Sequence, residues 1–406
     1  MKLLLLLTAA FPYDKGEDFL PAELHAVSGF DKILVCPCNL KEKSTVTKTL
    51  PTGILVYPLS KQGLGKAAYA KLLFSPPVLQ EMIDLVHSGR FSFSRLHEML
   101  FFMKNAVQLY ESMLEIPEVQ AADDITIYSY WFYDAAAAGA LLAQELKRRG
   151  KRVKQISRAH GFDIHPERSL CGYLPMRKFL LSSVDRLYPC SQNGADTICR
   201  QYPEYRDKVR PAFLGTADCG VTGGKRQPEL HLVSCSYMVP VKRLHLLIQA
   251  LSLCDFPVRW THLGSGPLEQ ELRQQAEKLP QNVNVNFAGQ LENTAILDFY
   301  RSNPVSVFVN VSSSEGIPVS IMEAISFGIP VVATNVGGTS EAVRDGFNGF
   351  LLEKDFTPRS LMEKIRQIRD LSDAEYKALC VNSRAMWEKK FHASVNYSRF
   401  YEEISK

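Results

Sequence analysis

Short runs of apolar residues alternate along the chain with segments whose apolar positions recur at helical spacing. Leu3 to Leu7, Lys32 to Pro37, Ile125 to Phe132 and Arg152 to Ser157 in the first half are too short for typical helices and predict strands. Leu230 to Cys235, Trp260 to Leu263, Val283 to Ala288, Val307 to Val311 and Val331 to Ala333 do the same in the second half. Several are apolar at consecutive positions, the pattern of parallel strands covered by helices on both faces. Asp134 to Arg149, rich in alanine, and Leu244 to Ala250 are two of the helices between them. The alternation predicts an α/β protein built on parallel sheets. The opening run resembles a secretory leader, but its apolar part is short and leads directly into Phe11-Pro12-Tyr13-Asp14, so a first buried strand is expected.

One stretch carries the densest chemistry. Val307 to Val311 predicts a strand, Ser312 to Gly316 a tight loop, and the following residues a helix with Pro318 in its first turn and Gly328 as its stop; Val331 to Ala333 returns as a strand. The first amides of such a helix have no intrahelical partner and form an anion site, and Gly316 lets a ligand approach the backbone beside it. Glu315 stands at the mouth of this site. Glu323, eight residues on, lies among Ile321, Met322, Ala324 and Ile325, where an ionised carboxylate needs a partner. Two carboxylates beside an anion site suggest a polyhydroxylated phosphate ester.

The run S-S-S-E-G-I-P-V-S-I-M-E-A, with its E-x7-E spacing, followed by G-I-P-V-V-A-T-N-V-G-G, resembles the donor-site signature of glycosyltransferase family 4. That resemblance implies a GT-B fold, two Rossmann-like domains with parallel sheets facing a central cleft. It also implies a retaining, metal-independent hexosyl transfer from a nucleotide-diphosphate sugar such as a UDP- or GDP-hexose, a co-substrate with no further cofactor. Glu315 is then expected on the sugar hydroxyls, Glu323 on the ribose, and Gly316, Ile317, Pro318 and Val319 on the diphosphate. Lys242 and Arg243 follow a strand and are expected to neutralise the leaving diphosphate. The family usually places an arginine where this chain has Tyr237, so Arg243 is the expected substitute. Gly264, in the loop after the Trp260 strand, and Gln290 with Leu291 are expected near the nucleotide.

In the first half, Gly16 lies in the loop after the first strand, where ligands of open parallel sheets collect. The family commonly carries a glycine-rich loop there, touching the donor diphosphate and the acceptor; this chain has one glycine, among Asp14, Glu17 and Asp18, so acceptor hydroxyls stand as an alternative to diphosphate contact. Arg158-Ala159-His160-Gly161-Phe162-Asp163 ends another strand. His160 resembles the family's His-Gly element on the donor sugar, with Arg158 and Asp163 beside it as substrate-binding candidates.

The 406 residues suggest two domains of about 200 each. The expected division is an acceptor-binding domain over 1–217 with a helical insertion at about 60–120, and a linker over 218–228. A donor-binding domain over 229–385 and a terminal helix over 386–406 crossing back to the first domain complete it. Nine cysteines at irregular spacing provide neither a disulfide framework nor paired C-x-x-C motifs, and no D-x-D pair offers a metal bridge. A cytoplasmic enzyme is expected, peripheral at the inner membrane face. Net charge is only +4, yet residues 147–210 hold 15 Lys or Arg against six Asp or Glu. With the apolar and cationic insertion, this excess suggests a glycan or lipid-linked acceptor in cell-surface polysaccharide synthesis, and no nucleic acid. For the insertion's apolar stripe, a core role is favoured over a membrane-facing one. The competing readings are a GT-B sugar-nucleotide epimerase and a non-catalytic sugar-nucleotide binding protein.

Overall fold

A computed structural model of the chain describes residues 1–14, 16–61, 72–223 and 228–406. The expected features at 62–71 and 224–227, including Gln62 to Lys66 of the insertion and the Lys225-Arg226 pair of the linker, lie outside the described residues. The chain forms two compact units, one of residues 1–213 with 397–406 and the other of residues 214–396.

The first unit holds β1 (Lys2–Thr8), β2 (Lys32–Pro37), β3 (Ile54–Val56), β4 (Asp124–Ser129), β5 (Arg152–Ala159) and β6 (Arg186–Pro189). They pair in the order β3-β2-β1-β4-β5-β6, every pair parallel. Leu3 to Leu7 are completely buried, which explains the unbroken apolar run of β1. Its principal helices are α1 (Pro76–His87), α2 (Phe93–Leu114) and α3 (Asp134–Arg148). Ala135 to Ala138, Gly139 and Ala140 are buried, and a Cβ on Gly139 would lie 3.0 Å from the Ile127 side chain. Small residues thus let α3 lie close on the sheet.

The second unit repeats the design with β7 (Leu230–Cys235), β8 (Val258–Leu263), β9 (Val283–Phe287), β10 (Val307–Asn310), β11 (Val331–Thr334) and β12 (Gly349–Leu352). Their order is β12-β11-β10-β7-β8-β9, again parallel throughout. Each sheet reverses direction at one point, between β1 and β4 in the first and between β7 and β10 in the second. In doubly wound sheets, ligands bind outside the carboxyl ends of the strands at that point. The second unit's principal helices are α4 (Leu244–Leu251), α5 (Asn293–Ser302), α6 (Val319–Ser326) and α7 (Asp373–Lys390), and α8 (Ala393–Ile404) ends the chain.

The unit boundaries differ from those expected at 217 and 386. Trp387 Nε1 donates to Thr216 Oγ1 at 2.7 Å and Asn396 Nδ2 to the Leu214 carbonyl at 3.0 Å, so 214–216 and 387–396 both belong to the second unit. The chain returns to the first unit at Tyr397. The expected linker is also docked over much of its length. Asp218 takes two bonds from Arg384, at 2.9 and 2.6 Å, and the Gly223 amide donates to the Phe327 carbonyl at 2.9 Å.

The insertion has two faces. Leu85, Met99, Phe102 and Met103 are core, whereas Val86, Phe101 and Phe93 are exposed, Phe93 at 83%. Several of the basic residues in 147–210 are already buried or paired. Arg158 and Arg177 are buried, Arg148 and Arg149 pair with Glu145, Lys178 with Asp84, and Arg210 with Glu403. No helix among the described residues is long and apolar enough to cross a membrane.

Candidate donor site

β7 and β10 flank the reversal of the second sheet, and the loops that follow them meet. Lys242 comes from the first loop and Glu315 from the second; Lys242 Nζ lies 2.7 Å from Glu315 Oε1, with both side chains largely covered. Each residue was expected to serve a different part of a ligand, and each holds the other. Asn310, the polar end of β10, adds its Nδ2 to the same Glu315 oxygen at 3.4 Å and receives the Ser312 amide on Oδ1 at 3.0 Å. The loops are also joined by the Ser313 amide on the Val241 carbonyl at 2.8 Å.

Helix α6 begins at Val319, with Pro318 as its extended N-cap rather than a residue of its first turn. Proline suits this place because its fixed φ fits and it has no amide to satisfy. Gly328, at φ 76°, ends the helix as expected, its amide returning to the Ile325 carbonyl at 3.0 Å. Gly316, Ile317, Pro318 and Val319 therefore form the approach to a helix start beside the ion pair. The backbone of Glu315 and Gly316 is clamped by the loop after β11. The Gly338 amide donates to the Gly316 carbonyl at 2.6 Å, and a Cβ on Gly337 would lie 1.9 Å from the Glu315 carbonyl oxygen. Gly337, at φ 55°, has both reasons to be glycine.

Glu323 is 5% exposed and receives Asn293 Nδ2 of α5 at 2.6 Å. Cys235, at the end of β7, shares this neighbourhood: burial pushes its thiol up to about 12, Glu323 raising it further and Lys242 opposing. Burial raises the pKa of Tyr300, with Cys235 and Glu323 adding to it, and among the described residues its hydroxyl has no hydrogen-bond partner. Asn293 and Asn310 were not expected here, whereas Gly337 belongs to the V-G-G that closes the quoted signature. The signal available for Asn310 was a single polar residue closing an apolar strand.

Arg243 turns its hydrogen-bond donors to the protein. Its Nε donates to the Val311 carbonyl at 2.8 Å, Nη1 to the Lys354 carbonyl at 2.8 Å, and Nη2 to the Ser312 carbonyl and Thr334 Oγ1, each at 3.3 Å. With φ at 49° and its guanidinium over the Phe356 ring, it straps the β10 loop and places Lys242, correcting the diphosphate role. Gly264, at φ 138°, permits close packing, since a Cβ there would lie 2.0 Å from the Ser236 carbonyl oxygen. Gln290 is exposed and Leu291 half-buried after β9, on the strand-end side of the sheet.

The loop carrying Lys242 is anchored by a buried histidine. Trp260 Nε1 donates to Ser234 Oγ at 2.9 Å, the Ser234 hydroxyl pairs with His262 Nδ1 at 2.8 Å, and His262 Nε2 pairs with the Ser236 carbonyl at 3.1 Å. A carbonyl only accepts, so Nε2 carries the proton and Nδ1 accepts from Ser234: the ring is neutral. Burial lowers its pKa to about 4. An unfolded His titrates near 6.5, so below that pH the unfolded chain binds a proton the folded ring refuses. Stability from this group is complete above pH 6.5 and falls as pH drops toward 4, by on the order of 3 kcal/mol. Urea unfolding of wild type and His262→Gln at pH 7 and 4.5 checks this: the variant should show the smaller loss on acidification.

Residues 223–386 match the family model "Glycosyl transferases group 1". The chain is 30% identical over 192 residues to D-rhamnosyltransferase WbpZ of Pseudomonas aeruginosa, covering 44% of this chain and 49% of that protein. It is 26% identical over 249 residues to an Escherichia coli protein named as a colanic acid biosynthesis glycosyltransferase, WcaL, covering 58% and 60%. The chain thus spans about half to three-fifths of those relatives' lengths. Among solved structures, HepE of Anabaena in complex with UDP superposes with a TM-score of 0.66 at 17% identity, covering all of both chains. The fold is GT-B.

In the first GT-B unit, the expected site residues have different surroundings. Arg158 is completely buried: Nε donates to Tyr128 Oη at 2.7 Å, Nη1 to the Ala212 carbonyl at 2.8 Å, and Nη2 lies 3.4 Å from Glu23 Oε2. Its role is corrected from substrate contact to core ion pair. Asp163, also without exposed surface, receives the Phe132 amide at 2.8 Å and the His160 amide at 2.7 Å, so it ties the ends of β4 and β5 together rather than touching a ligand. His160 packs between Tyr130 and Trp131, with Nε2 3.0 Å from the Tyr130 carbonyl and Nδ1 3.3 Å from Cys190 Sγ; burial lowers its pKa. Gly16 is exposed at φ 109° in the loop after β1.

Proposed function

We propose that this GT-B protein moves a hexosyl group, with retention, from a nucleotide-diphosphate sugar to an acceptor hydroxyl in cell-surface polysaccharide synthesis. The observation that carries the reading is the Lys242–Glu315 pair at the reversal of the second sheet, beside the start of α6. An arriving diphosphate competes with Glu315 for Lys242. Lys242 then meets the phosphate charge, the amides of Gly316, Ile317 and Val319 donate to the same oxygens, and the released Glu315 receives sugar hydroxyls. As the bond from sugar C1 to the phosphate oxygen breaks, negative charge grows where these donors point; the acceptor oxygen bonds C1, and its hydroxyl proton passes to the departing phosphate oxygen as the nucleoside diphosphate leaves. Glu323 and Asn293 form the polar pair proposed for the ribose. Retention follows the resemblance to family 4. UDP in the HepE complex supports a UDP-hexose donor, and the colanic acid biosynthesis named for WcaL supports a glycan acceptor.

The test is a thermal-shift panel of UDP- and GDP-sugars, followed by assays of transfer, hydrolysis and epimerisation with the stabilising donor. Transfer or slow hydrolysis supports the reading. Epimerised donor identifies an epimerase, and binding without turnover a non-catalytic binding protein. The chain's own cation and helix start meet the leaving-group charge in this account, so a chelator should leave the rate nearly intact. Loss on chelation with rescue by magnesium or manganese would overturn metal independence.

We further propose peripheral docking on a lipid surface at the cytoplasmic membrane face, through the exposed side of α1 and α2. Exposed Phe74, Val86, Phe93 and Phe101 form the apolar component, with Arg90 close in sequence. Because several basic residues of 147–210 are buried or already paired, binding should depend on the phenylalanines more than on salt. Cosedimentation with anionic and neutral vesicles checks this: Phe93→Ser/Phe101→Ser should remove most of the bound fraction, and an unchanged fraction would refute the assignment.

A further inference from the structure

The first unit contains a cavity of about 290 Å³ at the carboxyl ends of β1 and β4, where its sheet reverses. Thr8, Asn39, Trp131, Tyr133, Asp134 and Phe162 contribute to its lining. This is at the small end of the roughly 300–1,000 Å³ of small-molecule sites, room for one ring rather than a chain. Its walls are aromatic. Tyr133 and Phe162 pack with ring centroids 5.4 Å apart, and Phe162 keeps 46% of its surface exposed. Its polar edge is acceptor-rich. Asp134 takes the Ala135 amide at 2.9 Å and Asn105 Nδ2 at 3.3 Å, while nearby Lys61 binds Asn39 Oδ1 and lies 3.8 Å from Asp134. Aromatic faces opposite hydroxyl-binding edges suit a sugar ring, which has apolar C–H faces and a polar rim.

A second observation concerns charge. The amides of Ala9, Ala10 and Phe11, immediately after β1, converge as a nest suited to an anion. The anion in that nest belongs to the chain itself. Glu17 receives Ala9 at 2.7 Å, Ala10 at 2.9 Å and Phe11 at 2.8 Å, and takes Trp131 Nε1 at 2.9 Å as well. To reach this place it adopts φ 52°, in the left-handed region that side chains seldom occupy. The carboxylate thus fills the cradle a phosphate would use and fixes one wall of the cavity.

We propose that this cavity binds an uncharged sugar ring, the acceptor unit of the transfer reaction, and that Glu17 is a positioning residue that holds Trp131 and turns phosphorylated rings away. The acceptor role rests on the transferase reading; the sugar site does not.

Tryptophan fluorescence tests it on the full chain. Of three tryptophans, Trp260 and Trp387 are completely buried and Trp131 is half-buried against the cavity, so a ligand there changes the Trp131 signal. The probes are methyl glycosides of glucose, galactose, mannose and N-acetylglucosamine, with glucose 6-phosphate as the charged counterpart. At least one glycoside should give a saturable shift in the millimolar range. Trp131→Phe should abolish the signal, and Phe162→Ala should weaken binding about tenfold. Glucose 6-phosphate should bind more weakly than methyl glucoside, and Glu17→Gln should narrow that difference, a change that mere loss of folding would not produce. Octyl glucoside below its micelle concentration distinguishes the source. Binding equal to methyl glucoside assigns a water-soluble saccharide, and binding about tenfold tighter assigns a ring carried on a lipid; either supports a ring site. Tighter binding of glucose 6-phosphate than of methyl glucoside, or no response to any glycoside, overturns the proposal. UDP-glucose stabilisation, measured in parallel, separates the readings. If it persists while no glycoside binds, the cavity assignment falls alone; if glycosides bind and no nucleotide sugar does, the acceptor role falls.

Discussion

Lys242→Ala is expected to lower kcat for glycosyl transfer by about 10- to 100-fold with a smaller change in the donor's KM. A charge-assisted hydrogen bond contributes roughly 1.5–3 kcal/mol, and each 1.36 kcal/mol of lost transition-state stabilisation is tenfold in rate. The effect falls on kcat because charge on the leaving diphosphate grows as its bond to the sugar breaks, so the missing cation is needed most in the transition state. The resting structure adds a second consequence. Lys242 Nζ is 2.7 Å from Glu315, whose side chain is only 11% exposed, and removing the lysine leaves that carboxylate with Asn310, at the end of β10, as its remaining side-chain partner among the described residues. Lys242→Ala/Glu315→Gln, compared with Glu315→Gln alone, separates the two contributions. If the pair only braces the loops, the double variant should regain stability and turn over like Glu315→Gln; if Lys242 meets the leaving group, stability returns and turnover falls well below that of Glu315→Gln. Steady-state kinetics with the donor found by thermal shift measures both, and an unchanged kcat in Lys242→Ala would remove the leaving-group role.

The strands were legible because sheets covered on both faces demand apolar residues at consecutive positions, and Leu3 to Leu7 or Val331 to Ala333 can be read without knowing their neighbours. The segment from Glu315 to Glu323 was legible for a related reason: its loop, helix start and carboxylates are contiguous in sequence. What failed depended on distant partners. Arg243 stands beside Lys242 in sequence, yet its donors belong to Val311, Ser312, Thr334 and Lys354, so adjacency in the chain said nothing about where the guanidinium points. The basic excess of residues 147–210 is hard to read for the same reason, since counting charges does not reveal that Arg148 and Arg149 are answered by Glu145 or that Arg177 is buried. Glu17 was seen only as one acid near Gly16, because its significance lies in three amides and an indole that come together when β1 and β4 pair.

Arg158→Leu is expected to destabilise the first unit by about 3 to 5 kcal/mol, the cost of leaving one member of a buried ion pair without the other. Sequence placed Arg158 two residues before His160 at a strand end, where a substrate role is natural; β5 instead turns its side chain into the core. There the guanidinium lies over the Phe400 ring, 4.2 Å from its centroid, and joins Glu23, Tyr128 and the Ala212 carbonyl. Tyr128 Oη in turn donates to Glu23 Oε1 at 2.8 Å, so removing the arginine strands a carboxylate that has no exposed surface. Phe400 belongs to α8, in the stretch that returns to this unit, so the same change should loosen the chain's last residues. Replacing both charges, as Glu23→Gln/Arg158→Met, removes the uncompensated ion and should recover much of the loss. Urea unfolding of the single and double variants, read alongside the nucleotide-sugar thermal shift, distinguishes scaffold from ligand contact. A scaffold residue costs stability while the folded variant still binds donor. If Arg158→Leu unfolds like wild type and has lost donor binding, the core assignment is wrong and the guanidinium serves the substrate.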